Sequence, residues 1–395
     1  MSYSLRRASL LNISSYLYLF VASLATTPTL IKSLGLSAFS TYVLSLGVLA
    51  LTTSLDLGLS RSVVYYLAKA NNNEEKKTIL ASSLLIHLLL GFSLAVVVLF
   101  WFSWYVSLLI FITFIVSHFQ TYHESIGNFG MVNLRSFIIG TTNTLGAAYL
   151  ASLGYGVNII LISLSLATLL TIIILTFNVP RYSLRDISRT SLKLLLIYGL
   201  KLQLGKFVNS VQSQYPKLIF ASVPLALTIY SLASSLVAKA AGAVTQIAIA
   251  FFPYSITSSN DSKHRSYYVY TQISLFLLGL ITIITYSYYG ESLLYWWLKD
   301  ESIVSHLHTF LLSYRYYGLL LVLTPLASTI LDSHNRSATS SLYALYALLI
   351  EVSVVFYTLP RYGVLSIAYG SLVSLLIMVP VLLYTTQKSV SPGDN

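Results

Sequence analysis

From Ile79 to Gln120 the chain runs through about 42 residues of nearly continuous apolar character, twice the roughly 20 that one helix needs to cross a bilayer. One span of that length is implausible, so the run is read as two helices parted at the Trp101–Trp104 cluster. The same window applied to the whole chain places spans near 9–31, 39–59, 79–100, 103–122, 134–153 and 156–178. A second six follow near 194–214, 222–257, 268–289, 309–331, 338–358 and 363–386. Composition agrees: 56% of the 395 residues are hydrophobic, only 9% are charged and the mean hydropathy is +0.77. A soluble fold of this length cannot cover its exterior with so few charges. Soluble enzymes, nucleic-acid binders and disordered chains are therefore excluded. Cysteine is absent, which excludes disulfides, thiol catalysis and Cys-ligated metals. Arg6 and Arg7 lead into a stretch long enough to span, with no small-residue cleavage site, so the first helix is expected to stay.

Lys and Arg set the orientation through their distribution between spans. With the N-terminus in the cytoplasm, the inner segments hold Arg6, Arg7, Arg61, Lys69, Lys76, Lys77, Arg135, Arg181, Arg185, Arg189, Lys193, Lys263, Arg265, Arg336 and Lys388, fifteen in all. The outer segments hold four, Lys32, Lys217, Lys299 and Arg361. This asymmetry supports an even number of helices with both termini in the cytoplasm. It also accounts for most of the net charge of +11, which would otherwise suggest a nucleic-acid partner.

The segment from Pro28, PTLIKSLGLSAFSTYVLSLGVLA, aligns without gaps to the segment from Pro216, PKLIFASVPLALTIYSLASSLVA. Pro28/Pro216, Leu30/Leu218, Ile31/Ile219, Ala38/Ala226, Tyr42/Tyr230, Leu44/Leu232 and Ala50/Ala238 coincide at an offset of 188 residues. An offset of six helices gives both halves the same orientation, so the repeats are parallel. The expected fold is an all-α polytopic membrane protein. It has about twelve transmembrane helices in two parallel-repeat six-helix bundles, 1–190 and 191–395, around a central cavity.

A charge at a helix centre costs roughly 2.5–3.5 kcal/mol on insertion scales, so charges within spans point to protein or water rather than lipid. Lys201 and Lys206 lie in GLKLQLGKFVNSVQSQ. Helical spacing there sets Lys201, Gly205, Asn209 and Gln212 on one stripe, beside Lys206, Ser210 and Ser213. Such a stripe lines a wet cavity, although Lys201, one turn from the boundary, can also reach it by snorkelling. Lys239, within AKAAGA, is too deep for that. Arg315 in SYRYYG suits a Tyr-flanked interfacial position. Asp56 in LDLGLSR pairs with Arg61 or serves as a proton or cation site. Glu351 in LLIEVSV has no charged neighbour in sequence, so it is protonated or paired across helices, with a coupling role open to it. His87 is a satisfied core histidine or a proton carrier.

Enzymatic signatures fail. GLKLQLGKF has five residues rather than four between Gly199 and Gly205, and Phe207 replaces the Ser or Thr of a phosphate loop. His118, His123 and Glu124 in SHFQTYHESIG lack a metal-ligand spacing, and no cofactor is called for. Glu291, Asp300 and Glu301, beside Trp296 and Trp297 in the longest outer segment, are the best remaining enzyme site. An aromatic belt explains the Trp pair more simply.

The segment PTLIKSLGLSAFSTYVLSLGVLALTTSLDLGLSRSVVYYLAKA resembles the start of bacterial Wzx-type oligosaccharide flippases of the multidrug/oligosaccharidyl-lipid/polysaccharide exporter superfamily. QTYHESIGNFGMVNLRS and LTIYSLASSLVAKAAGAVTQIAIAFFPY resemble that family's helix 4–5 turn and helix 8. The resemblance implies a 6+6 fold and alternating access in a bacterial inner membrane. It also implies transport of an undecaprenyl-diphosphate-linked sugar unit, an O-antigen or polysaccharide precursor, from the inner to the outer leaflet. The implied partners are that lipid-linked oligosaccharide, a coupling proton or sodium ion, membrane lipids, and a polysaccharide polymerase with its chain-length regulator. Lys239 matches a position where such proteins often carry a base, and Arg61 falls in the helix 2 motif. Helix 1 departs from relatives with a charge there, offering Asn12, Ser14 and Ser15. The site expected is cationic: Lys206 and Lys239, then Lys201, Arg61 and Arg315, with Glu351, Asp56 and His87 for ion coupling. The alternatives are a drug or metabolite antiporter of the same superfamily, or a membrane polymerase or glycosyltransferase acting on lipid-linked sugars.

Overall fold

The computed structural model describes residues 5–70, 72–177, 179–257, 262–334 and 336–390. Among these the regular elements are helical: α1 (Leu5–Thr53), α2 (Leu59–Lys69), α3 (Asn73–Trp101), α4 (Trp104–Ser125), α5 (Phe129–Thr141), α6 (Ala147–Ser152), α7 (Val157–Thr176), α8 (Arg189–Ile219), α9 (Pro224–Thr257), α10 (Ser262–Leu298), α11 (Glu301–Leu321), α12 (Thr324–Ser333), α13 (Ser337–Tyr362) and α14 (Leu365–Val390). A π-helix, Thr142–Gly146, joins α5 to α6, and a 3-10 turn, Leu184–Asp186, precedes α8.

The twelve expected spans fall largely on helix, those near 39–59 and 309–331 crossing turns at 54–58 and 322–323. Nine helices among the described residues are long and apolar enough to cross a membrane, and the difference from twelve has physical causes. α1 carries two spans joined at Gly35, whose φ of 73° and ψ of 166° interrupt the helix. The span near 134–153 is divided by the π-helix. α8 carries too many polar side chains, Lys201, Gln203, Lys206, Asn209 and Gln212 among them, to meet the same standard. The long apolar run divides where expected, with α3 ending at Trp101 and the hydroxyl of Ser103 accepting the Val106 amide at the start of α4.

Several helices have the polarity of a chain dissolved in lipid. In α7 Ser165, Thr168 and Thr171 are buried while Leu166, Leu170 and Ile173 are exposed. In α14 Ser371, Ser374 and Thr386 are buried while Leu376, Ile377 and Val381 are exposed. Small hydroxyl side chains lie at the buried faces, Ser165, Thr168 and Thr386 each returning a hydrogen bond to a carbonyl of the preceding turn, and the large apolar ones face outward. The chain is a multi-pass all-α membrane protein.

The chain forms two compact units, Met1–Gln214 and Tyr215–Asn395, dividing 24 residues beyond the expected 190/191. The reason is α8. Most of this helix packs on the first unit, where Leu195 joins the buried cluster of Leu59, Val63, Leu67, Ile79, Leu80, Ile86 and Tyr122. Gly199 meets Gly58, the Tyr198 ring stacks on Tyr65 with centroids 4.6 Å apart, and the Gln203 amide donates to the Ser54 carbonyl. In the second unit α14 packs on α13 and α11, and α9 packs on α11 and α12. The Gln272 amide donates at 3.1 Å to the Leu323 carbonyl, where α11 breaks into α12.

The repeat is visible locally. Position 223, the counterpart of Gly35, lies in the connection between α8 and α9, so each copy reads helix, break, helix. Tyr42 and Tyr230 are both buried.

Candidate functional site

The best-defined polar site in the second unit is built around Glu351. It sits midway along α13, 2% exposed, where α14 comes close because position 370 is glycine: a Cβ there would lie 2.9 Å from the Glu351 carbonyl oxygen and 2.5 Å from Val355 Cγ2. The Glu351 Oε1 accepts the hydroxyl of Ser371 at 2.8 Å and that of Tyr215 at 3.0 Å. Tyr230, Tyr314 and Tyr317 lie within its electrostatic reach. The Tyr314 and Tyr317 rings stack with centroids 4.6 Å apart, and Phe310 packs edge-on against Tyr230. A buried carboxylate held by hydroxyls can take up a proton or a small cation without rebuilding its surroundings. Glu351 is partnered across helices, with neutral hydroxyls rather than a basic side chain among the bonds at Oε1.

The basic candidates with described side chains, Lys239, Arg61 and Arg315, lie on α9, α2 and α11. The side chains of Lys201 and Lys206 lie outside the described residues; their helix, α8, forms as expected. Lys239 is half-buried on α9 between exposed Ala238 and Ala240. Arg61, in the first turn of α2, is exposed. Arg315 bridges α11 to α10: it donates to Ser287 Oγ at 2.6 Å and to Tyr316 Oη at 2.9 Å, over the Tyr316 ring. That fits the Tyr-flanked position read from its neighbours. Asp56 is buried and serves the local turn, its carboxylate accepting the Gly58 amide at 3.1 Å and the Ser60 hydroxyl at 2.8 Å. This turn starts α2, and the exposed Arg61 lies outside those bonds.

His87 is fully buried on α3 and belongs to a larger cluster. Its Nδ1 lies 2.9 Å from the Ser83 carbonyl oxygen, and the Ser83 hydroxyl lies between His87 Nδ1 and His118 Nδ1, at 3.2 and 3.1 Å. His118, on α4, places its Nε2 2.6 Å from Tyr182 Oη. Tyr182 lies in the connection before α8, and burial pushes its phenol up to about 12, so it stays a neutral hydroxyl at physiological pH. His123 is used structurally, its Nε2 donating to the Leu175 carbonyl at 2.8 Å.

Asp300 caps α11, its Oδ1 accepting the Ile303 amide at 3.0 Å. Glu291 and Glu301 line an open hollow with Tyr295, Trp296 and Lys299, and Trp296 is exposed in the manner of an interfacial anchor.

Tyr215, Tyr314, Tyr317, Ser371 and Tyr182 were not singled out by sequence, and His118 was weighed there only as a metal ligand. With 31 tyrosines in the chain, nothing in the pattern separates those around Glu351 from the rest. Tyr230 alone carried a signal, as the repeat partner of Tyr42.

No protein-family model and no curated protein matches the chain in sequence. Solved structures match it in fold. An inward-facing multidrug resistance MATE family transporter of the MOP superfamily superposes with a TM-score of 0.68 at 17% identity, over 98% of this chain and 96% of that one. The lipid II flippase MurJ, in an inward closed conformation, superposes with a TM-score of 0.73 at 13% identity, over 96% of this chain and 89% of that one. A MOP superfamily transporter from Pyrococcus furiosus, described as having a binding pocket of reverse polarity, gives a TM-score of 0.60 at 18% identity, over 97% and 95%. The chain has the fold of MOP-superfamily transporters from end to end.

Proposed function

We propose that this protein is a flippase that moves an undecaprenyl-diphosphate-linked oligosaccharide from the inner to the outer leaflet by alternating access, driven by an ion gradient. The observation that carries this reading is the fold likeness to a lipid II flippase over nearly the whole chain. A diphosphate crossing hydrocarbon needs fixed cations in hydrated protein, and Lys supplies them as point charges. Lys206 and Lys239, then Lys201, Arg61 and Arg315, are assigned to the substrate. Glu351 is assigned to the coupling proton or sodium ion, with Asp56 and His87 as secondary candidates. The bacterial inner membrane, a polymerase partner and a chain-length regulator follow from the same reading. A drug or metabolite exporter is the second reading, favoured by the likeness to MATE transporters, and it places carboxylates rather than lysines at the substrate.

The test is translocation of a lipid-linked oligosaccharide in proteoliposomes. Lys206→Ala and Lys239→Ala each reduce the rate about tenfold or more, as expected for loss of a charge-assisted contact of roughly 1.5–3 kcal/mol. Glu351→Gln keeps both hydroxyl partners and abolishes the response to an imposed ion gradient. Unchanged translocation in both lysine variants removes the site assignment. Loss of glycan synthesis in a Glu291, Asp300 and Glu301 triple alanine variant that still flips establishes an enzyme instead.

A further inference from the structure

The first unit holds a second titratable construction, separate from Glu351 and from the lysines. Each nitrogen of His118 faces a hydroxyl oxygen, Ser83 Oγ at 3.1 Å from Nδ1 and Tyr182 Oη at 2.6 Å from Nε2. A hydroxyl can donate or accept, so His118 can gain a proton without losing a hydrogen bond. His87 is differently placed: a carbonyl only accepts, so the bond between its Nδ1 and the Ser83 carbonyl fixes a hydrogen on that nitrogen. The two rings lie 5.8 Å apart, near enough that a charge on one disfavours a charge on the other. A second positive charge on the pair is therefore disfavoured once the first is in place.

We infer that His118 is a proton-binding site, loaded from the 179–188 connection through the hydroxyl of Tyr182. With its hydrogen on Nδ1, neutral His118 donates to Ser83 Oγ and accepts the phenol hydrogen at Nε2. A hydronium on the exposed side gives a proton to Tyr182 Oη as the phenol's own hydrogen passes to Nε2. The products are a water, a neutral tyrosine and an imidazolium whose two N–H groups donate to two hydroxyl oxygens. The serine's hydrogen is free to bond a carbonyl of the preceding turn, as helical serines do. Access is provided by position, since Tyr182 is half-buried between exposed Arg181 and Ser183.

The electrostatic surroundings are sparse. From α3 the titratable group facing His118 is His87. α2 contributes Tyr66, packed in the same apolar cluster as Tyr182, and α4 itself contributes Tyr122. α7 carries no titratable side chain. Tyr42 of α1 is bonded to Asn143, and Arg135 of α5 feels Glu124, which accepts from Gln120. Asp186 of the connection accepts the Ser183 amide. Among the described residues, His87 is the titratable group that acts electrostatically on His118.

The experiment is histidine imidazole NMR on the full chain in lipid nanodiscs, titrated from about pH 8 to about pH 5, where imidazoles change charge. The His118 signals are identified by their loss in His118→Gln. The expected result is reversible conversion of His118 to imidazolium in the folded protein, with Tyr182→Phe lowering the midpoint by about one pH unit, a tenfold loss of proton affinity. Ser83→Ala, at the other nitrogen, lowers it as well. A His118 that stays neutral to pH 5, or a midpoint unmoved by Tyr182→Phe, overturns the inference. Because wild-type titration is itself a readout, a variant that fails to fold does not rescue the proposal. Translocation is not measured, so the outcome is independent of the substrate reading.

Discussion

At Gly58 two requirements fall on one residue. Its φ is +68°, and a Cβ built on it would lie 2.1 Å from the carbonyl oxygen of Gly199. The contact is between two backbones, so no side chain can move aside. Gly58→Val is therefore expected to destabilise the first unit by about 1–3 kcal/mol or more, read as a lower thermal midpoint in detergent and less folded protein at equal expression. A smaller change than that of an exposed control such as Ala238→Val contradicts the packing described. This glycine lies in DLGLSR, a motif read from sequence as the end of helix 2. Its partner Gly199, 141 positions on, lies in a stretch where sequence drew attention to the failed phosphate loop. The same limit explains the Glu351 site: its carboxylate stood out because charge within a span is rare, whereas Tyr215 and Ser371 are ordinary residues given meaning by a contact.

Among elements, α1 shows how one glycine turns a chain between two spans. Nothing lies within 4 Å of a Cβ built at Gly35, and its φ of 73° with ψ of 166° belongs to a region that side chains avoid. The cost of replacing it is thus conformational rather than steric, on the order of 1–3 kcal/mol. Gly35→Ala and Gly35→Ser should lower the thermal midpoint by equal amounts, since neither side chain meets an obstacle. A large difference between them would show a neighbour that the open geometry excludes. Sequence read the two spans on either side but not the form of the link. Likewise, it placed one span at 134–153, where the structure has two short helices about a π-turn. At that turn Tyr42 Oη donates toward Asn143, 2.8 Å from its backbone and side-chain oxygens. A long-range bond of this kind leaves no trace in a hydropathy window.

For the whole molecule, orientation rests on fifteen basic residues assigned inside against four outside, and the absence of cysteine makes it directly testable. Single cysteines introduced by Arg185→Cys and Ser292→Cys, both at exposed positions, should react on opposite sides of the membrane. In intact cells an impermeant maleimide is expected to label the second and to spare the first until the membrane is opened. The reverse pattern would invert the assignment, and labelling of both from one side would break the twelve-span count.

The all-helical membrane class and the placement of most apolar segments were determined by the amino-acid sequence alone. Each follows from a demand the bilayer makes on every segment separately: enough apolar length, and backbone polar groups satisfied within the helix. What only the tertiary structure decided was membership. It placed most of α8 with the first unit, brought Tyr215 and Ser371 to Glu351, and set Ser83 and Tyr182 on either side of His118. Those outcomes depend on which side chains of distant segments come within bonding distance, and a linear pattern of hydrophobicity has no term for that.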